Sequence, residues 1–134
     1  MKNITDRELY KLADDARKKA YSPYSSVTVG AALLTASGKI YEGANIENSA
    51  HSPGVCAERV AFFKAINDGE RSFLKIAVAG GGCDTGPKKK FPPCGVCLQV
   101  MAEFCNKDFE VIIGDGEKKS FAELLPYGFS EEYL

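Results

Sequence analysis

Three cysteines and one glutamate carry the chemistry this sequence offers. Cys56-Ala57-Glu58 opens one helix-like stretch, and Pro93-Cys94-Gly95-Val96-Cys97 opens another. Closed structural zinc sites use four protein ligands, whereas catalytic sites use three and leave a position for water. Three thiols with a nearby acid therefore point to activation of a water molecule. Cys94 and Cys97, spaced i, i+3, share one face of a first helical turn, and Cys56 must reach them by packing of a second helix. Three thiolates around a divalent cation carry net negative charge. Unpaired N–H groups and the positive ends of two helix dipoles offset it. Glu58 lies two residues past Cys56, near the metal without being needed as a ligand. A carboxylate in that position can take a proton from water and pass it to a substrate.

Other readings of the thiols are weaker. A lone Cys-x-x-Cys also serves redox chemistry, but thioredoxin-type motifs follow a first strand early in a chain, and this one comes late. A zinc ribbon needs a second Cys-x-x-Cys, which the chain lacks. Cys83, in a glycine-rich loop, and Cys105, at a helix end, read as non-ligands, with a redox-sensitive role for Cys83 left open. Five cysteines suit a disulfide framework poorly and fit a reducing compartment better. The polar start lacks the apolar core of a secretion signal, and no run approaches the roughly 18 apolar residues of a membrane span. A cytoplasmic protein without membrane contact is expected. A net charge of −1 and the absence of tryptophan argue against a nucleic-acid-binding face.

The elements that must position these groups can be read in order. The 134 residues, 45% of them apolar, suit a single domain over 1–134. Thr5-Asp6-Arg7-Glu8 has the spacing of a capping box, and Leu9, Leu12, Ala13, Ala16 and Ala20 form a helical stripe that ends at Tyr21-Ser22-Pro23. Residues 27–34 read as a strand, 36–39 as a hairpin turn and 40–44 as the returning strand. A polar loop covers 45–54. A helix covers 56–67, with Val60, Phe63, Lys64 and Ile66 marking its pattern and Gly69 closing it. A buried strand at 74–79, a loop at 80–93, a helix at 94–105 and a strand at 109–113 follow. Residues 118–125 offer a short strand or a helical turn. A hairpin followed by alternating helices and strands implies an α/β fold with a mixed sheet covered by helices.

At these residues the chain resembles the small zinc-dependent cytidine deaminases, whose wider class carries a P-C-x-x-C motif and a non-ligand glutamate. The resemblance runs through Pro23-Tyr24-Ser25, Val29-Gly30-Ala31-Ala32-Leu33, Gly43-Ala44-Asn45-Ile46-Glu47-Asn48, both metal motifs, and Leu124-Leu125-Pro126 with Phe129. It implies a three-layer α/β/α fold with a five-stranded mixed sheet. It also implies one zinc ion per subunit on Cys56, Cys94 and Cys97, with Glu58 as the catalytic acid/base. The substrate would be cytidine or deoxycytidine, converted to uridine or deoxyuridine plus ammonia in pyrimidine salvage. Asn45 and Glu47 would bind the ribose hydroxyls, the Ala57 N–H the pyrimidine carbonyl, and Val27 would face the base. Phe129 would reach a neighbouring subunit's base in a homotetramer with shared active sites.

The chain departs from the family pattern at three positions. Leu98 stands where an arginine usually follows the second metal cysteine. That leaves Arg59 as the cation of the metal motifs unless one of Lys88 to Lys90 folds in. Val27 replaces a phenylalanine, and His51, the single histidine, replaces a tyrosine. A smaller Val27 leaves room for a modified pyrimidine, so a blasticidin-type deaminase is the alternative among enzymes. A non-catalytic, zinc-stabilised nucleoside-binding module is the alternative of another class; Glu58 argues against it, because binding alone does not require that acid.

Overall fold

Thr5 opens the first helix with the expected capping box. Its hydroxyl accepts from the Glu8 N–H at 3.1 Å, and the Glu8 carboxylate accepts from the Thr5 N–H at 2.9 Å. The computed structural model describes residues 3–134. Helix α1 spans Asp6–Ala16, short of the expected stop near residue 20, and Arg17–Lys19 tighten into a 3-10 turn. The cause is Arg17, which is almost fully buried. Its guanidinium donates to the carbonyls of Thr28, Gly82 and Thr85 and pairs with Asp14 at 3.0 Å. These bonds pull the end of the helix onto the next strand. Gly30 permits the approach, since a Cβ there would lie 1.9 Å from the Ala13 carbonyl oxygen.

Strands β1 (Val27–Thr35) and β2 (Ile40–Ala44) form the expected hairpin, turned through Gly38 at φ 92°. Strand β3 (Phe73–Gly82) runs antiparallel to β1, β4 (Glu110–Gly114) parallel to β3, and β5 (Glu117–Ser120) antiparallel to β4. The sheet order is β2-β1-β3-β4-β5, a five-stranded mixed sheet as expected. At the C-terminal segment both alternatives form, because β5 runs directly into a short helix, Phe121–Leu124, capped by Ser120 and Glu123.

Strand alternation sorts the layers. Ala32 and Leu34 of β1 pack with Leu9 and Ala13 of α1 on one face. Val29, Ala31 and Leu33 pack on the other face with Ala61 and Phe62 of α2 (Ala57–Asn67) and Met101 of α3 (Gly95–Phe104). The result is the three-layer α/β/α arrangement. In α2 the packed stripe is Ala57, Glu58, Ala61, Phe62 and Ala65, while Phe63 is exposed. The sequence pattern through Phe63 misled because a stripe of alanines is only weakly apolar. Gly69 does close this helix, at φ 96°. Among the described residues no helix is long and apolar enough to cross a membrane.

Two further glycine contacts position the site. A Cβ at Gly43 of β2 would sit 2.4 Å from the Ala57 carbonyl oxygen and 2.7 Å from the Ala61 nitrogen. The first turn of α2 therefore presses directly on the strand. Residues 80–82, expected in a loop, extend β3 and pair with Val29, Thr28 and Val27. Glycines ordinarily weaken a strand unless another group approaches closely. Here the Phe91 ring lies where a Gly80 Cβ would be, 2.6 Å away.

Candidate active site

Cys56 and Cys94 are the N-cap residues of α2 and α3, both with extended backbone, and neither side chain caps its own helix. The thiols are thus left free for another partner. Cys97 lies one turn into α3 and is buried. Cys56 Sγ is 3.6 Å from Cys94 Sγ, which is 3.6 Å from Cys97 Sγ, and all three atoms lie within 4.8 Å of one another. A tetrahedral zinc ion bonded at about 2.3 Å to each sulfur holds its sulfurs about 3.8 Å apart. The residues fit that ion, and the two helix N-termini converge on the charge it would leave. No other triad of this kind occurs among the described residues. Cys83 is exposed beyond β3, and Cys105 caps the end of α3, its thiol pushed up to about 12 by burial.

Glu58, in the first turn of α2, is 3% exposed. Burial first, and the neighbouring Cys56 charge after it, push its carboxyl up to about 7. A proton carrier that is half-ionised near neutrality can both accept and give. Within the thiol group, interaction first with Cys97 and then with Arg59 pulls the Cys56 thiol below its ordinary value, whereas Cys97, beside Cys56 and buried, is pushed up. Arg59 Nη2 donates to Cys56 Sγ at 3.6 Å, so it is the cation of the metal motifs. Leu98 packs into the apolar cluster beneath α3, and Lys88 to Lys90 are exposed and do not line the site.

Beside the thiols opens a cavity of about 680 Å³, which Cys56, Cys94, Ala57, Glu58 and Arg59 help to line. A volume of this order suits a small molecule. The family description "Cytidine and deoxycytidylate deaminase zinc-binding region" matches residues 3–113. The chain belongs to this deaminase family. It is 54% identical over 124 residues to a cytidine deaminase of Sporosarcina psychrophila, covering 89% of this chain and 87% of that one. It is 41% identical over 138 residues to a probable cytidine deaminase of Dictyostelium discoideum, covering 98% and 90%. The crystal structure of cytidine deaminase from Burkholderia pseudomallei superposes with a TM-score of 0.85 at 40% identity, over 94% of this chain and all of that one. That from Mycobacterium tuberculosis gives 0.81 at 28% identity, over 96% and 99%.

Asn45 and Glu47 also line this deaminase-family cavity. Asn45 accepts from the Val29 N–H at 2.8 Å and donates to the Val27 carbonyl at 3.0 Å, so its amide is locked to β1. Glu47 accepts from the Tyr24 and Ser25 N–H groups and from the Ser25 hydroxyl, which holds its carboxyl below the usual range. His51 also lines the cavity, at φ 64° in a turn closed by Gly54 N–H to its carbonyl. Two candidate residues lie elsewhere. Val27 packs at the edge of the apolar cluster, and its place in the cavity wall is taken by Val29. Phe129 is exposed, its ring stacked on Tyr133 and its carbonyl bound by Gln99 Nε2 at 2.9 Å. Sequence reasoning missed Ser25 as the partner of Glu47, and Phe91 as a wall of the cavity. The signal for Phe91 was present: an aromatic residue held by two prolines just before a metal cysteine.

Proposed function

We propose that this chain, as one domain, hydrolytically deaminates cytidine and deoxycytidine to uridine and deoxyuridine, releasing ammonia in pyrimidine salvage. The observation that carries the proposal is a buried carboxyl two residues from the first member of a thiol triad with tetrahedral spacing. Cys56, Cys94 and Cys97 would hold zinc, which when bound lowers the pKa of a water molecule and polarises the reacting centre. Glu58 takes a proton from that water and delivers it to N3 of the ring, which makes C4 more electrophilic. The water oxygen bonds to C4. Glu58 then carries the second proton to the exocyclic amine, the C4–N4 bond breaks, and ammonia leaves. Ala57, at the first position of α2, has an N–H without an intrahelical acceptor, and that group receives the pyrimidine carbonyl. Asn45 and Glu47, immobilised by β1 and by Ser25, receive the ribose hydroxyls.

The chain works as a homotetramer with shared active sites. The apolar C-terminal surface of Tyr127, Phe129, Tyr133 and Leu134 is largely exposed and supports association with further copies, with Phe129 reaching a neighbour's base. Ultraviolet-monitored conversion of cytidine to uridine, with zinc content measured on the same sample and blasticidin as a parallel substrate, tests the activity. Turnover of blasticidin alone, or of neither compound, overturns it. Light scattering tests assembly, and a monomer mass overturns the tetramer.

A further inference from the structure

We propose that Phe91 is the residue that sets specificity at the C5 edge of the pyrimidine. The assignment rests on the deaminase reading above and follows from three placements. First, Phe91 lines the same cavity as Glu58, Cys56 and Cys94, and only Pro92 and Pro93 separate it from Cys94, a stiff spacer that keeps it near the thiols. Asn45 and Glu47, which line the same cavity, receive the sugar on the reading above. Second, on that reading the two ring positions beside the reacting carbon face different segments of the chain. Glu58, on α2, serves N3. C5, across C4 from N3, then points away from α2 and toward the segment that leads into α3, where Phe91 stands.

Third, the ring is built in rather than loosely covering a loop. It lies against the bare backbone of Gly80, where a Cβ would come within 2.6 to 2.7 Å of three ring atoms. The Phe91 N–H donates to the Ile113 carbonyl at 2.8 Å, and the side chain packs against the apolar cluster. Val29, which pairs with Gly80 in register, forms the adjoining wall. Phe91 is an aromatic wall of this cavity, which Val27 does not line. A ring clamped from behind cannot yield to a substituent on the base. A pocket wall of this kind discriminates a single added carbon by about 10- to 200-fold.

The test compares cytidine with 5-methylcytidine in zinc-loaded wild type, Phe91→Ala and Phe91→Leu, reading the ratio of their kcat/KM values. The ratio is expected to shift toward 5-methylcytidine by about tenfold in Phe91→Ala and by less in Phe91→Leu. A purely structural role for Phe91 would lower both substrates together. A ratio within about twofold of wild type in either variant, with normal zinc content, overturns the assignment. Phe91→Leu decides if the alanine variant does not fold. Gly80→Ala is an independent probe, because the added methyl must drive the ring into the cavity. It is expected to depress 5-methylcytidine turnover more than cytidine turnover, and equal losses count against the assignment. A zinc-loaded wild type that deaminates neither nucleoside overturns the proposed activity itself, whereas an active wild type with an unmoved ratio overturns only the role of Phe91.

Discussion

At the start of β3, Lys75 reaches Asp6 at 2.7 Å and Glu110 at 4.0 Å, and Lys118 of β5 reaches the same two carboxylates at 3.1 and 3.5 Å. Two ammonium groups face two carboxylates: Asp6 is held below the usual carboxylate range, first by its hydrogen bond to Lys75, and Lys118 is raised, first by Asp6. Toward the other end of β3, three thiols and a buried carboxyl face one guanidinium, whose buried Nε has no hydrogen-bond partner. There Glu58 is pushed toward its neutral form. The first cluster is complete as the chain folds. The second holds more acidic groups than its own cation can balance, and buried charges without partners are costly. A chain retains such a cluster where a bound cation completes it, which is what separates a functional site from an ion-pair network.

The largest expected effect breaks the second cluster at the acid to which the proposed chemistry falls. Glu58→Gln keeps the shape of the side chain and removes its proton traffic. Zinc content should stay at the wild-type level, and kcat should fall by about 10²- to 10⁴-fold, the usual contribution of a general acid/base. Retained zinc with near-normal turnover would remove Glu58 from the mechanism. Arg59→Ala takes away the one cation that donates to Cys56. Groups that hydrogen-bond metal ligands typically matter by about 10- to 100-fold in metal affinity or activity. Competition with a chelator should show weaker zinc retention in the variant, and equal retention would mean that the helix N-termini alone balance the sulfurs.

A stability measurement sharpens the contrast further. In chelator-treated protein, unfolded Glu58 ionises above the ordinary carboxylate value of 4.5, while the folded group keeps its proton until about 7. Between those values the folded state binds more protons, so stability falls as pH rises. The loss approaches about 3 kcal/mol at about 1.4 kcal/mol per pKa unit. Glu58→Gln should flatten that slope, and thermal melts of both proteins across this range would show it. A slope that survives the substitution would assign the loss to other groups.

How much of this was legible beforehand depends on the range of each contact. The capping box at Thr5, the hairpin at Gly38, the i, i+3 cysteines and Glu58 are local patterns, and the structure places them where the sequence put them. Arg17, Gly43, Gly80 and Phe91 depend on partners in other elements of the chain. A glycine read alone signals a turn, and only the packed chain reveals that Gly43 makes room for the start of α2 and Gly80 for an aromatic ring. The count of five strands came from likeness to a family, and the order was not read at all, since alternation of helices and strands leaves the order of a mixed sheet undetermined.

The smallest effect belongs to the balanced cluster. Asp6 is partly exposed, and solvent screening limits an exposed ion pair to about 0–1 kcal/mol. Asp6→Asn should therefore lower stability only slightly at neutral pH, and less in high salt. The slope runs opposite to that of Glu58. Asp6 has its pKa lowered in the folded state, so its contribution is present above the unfolded carboxylate value and is lost as pH falls through the lowered folded one. Melting curves of wild type and Asp6→Asn should thus converge in acid and separate toward neutrality, with zinc content and turnover unchanged. A loss of several kcal/mol, or a loss of zinc, would mean that the two ends of β3 are coupled, and the contrast between a finished charge cluster and an unfinished one would fail.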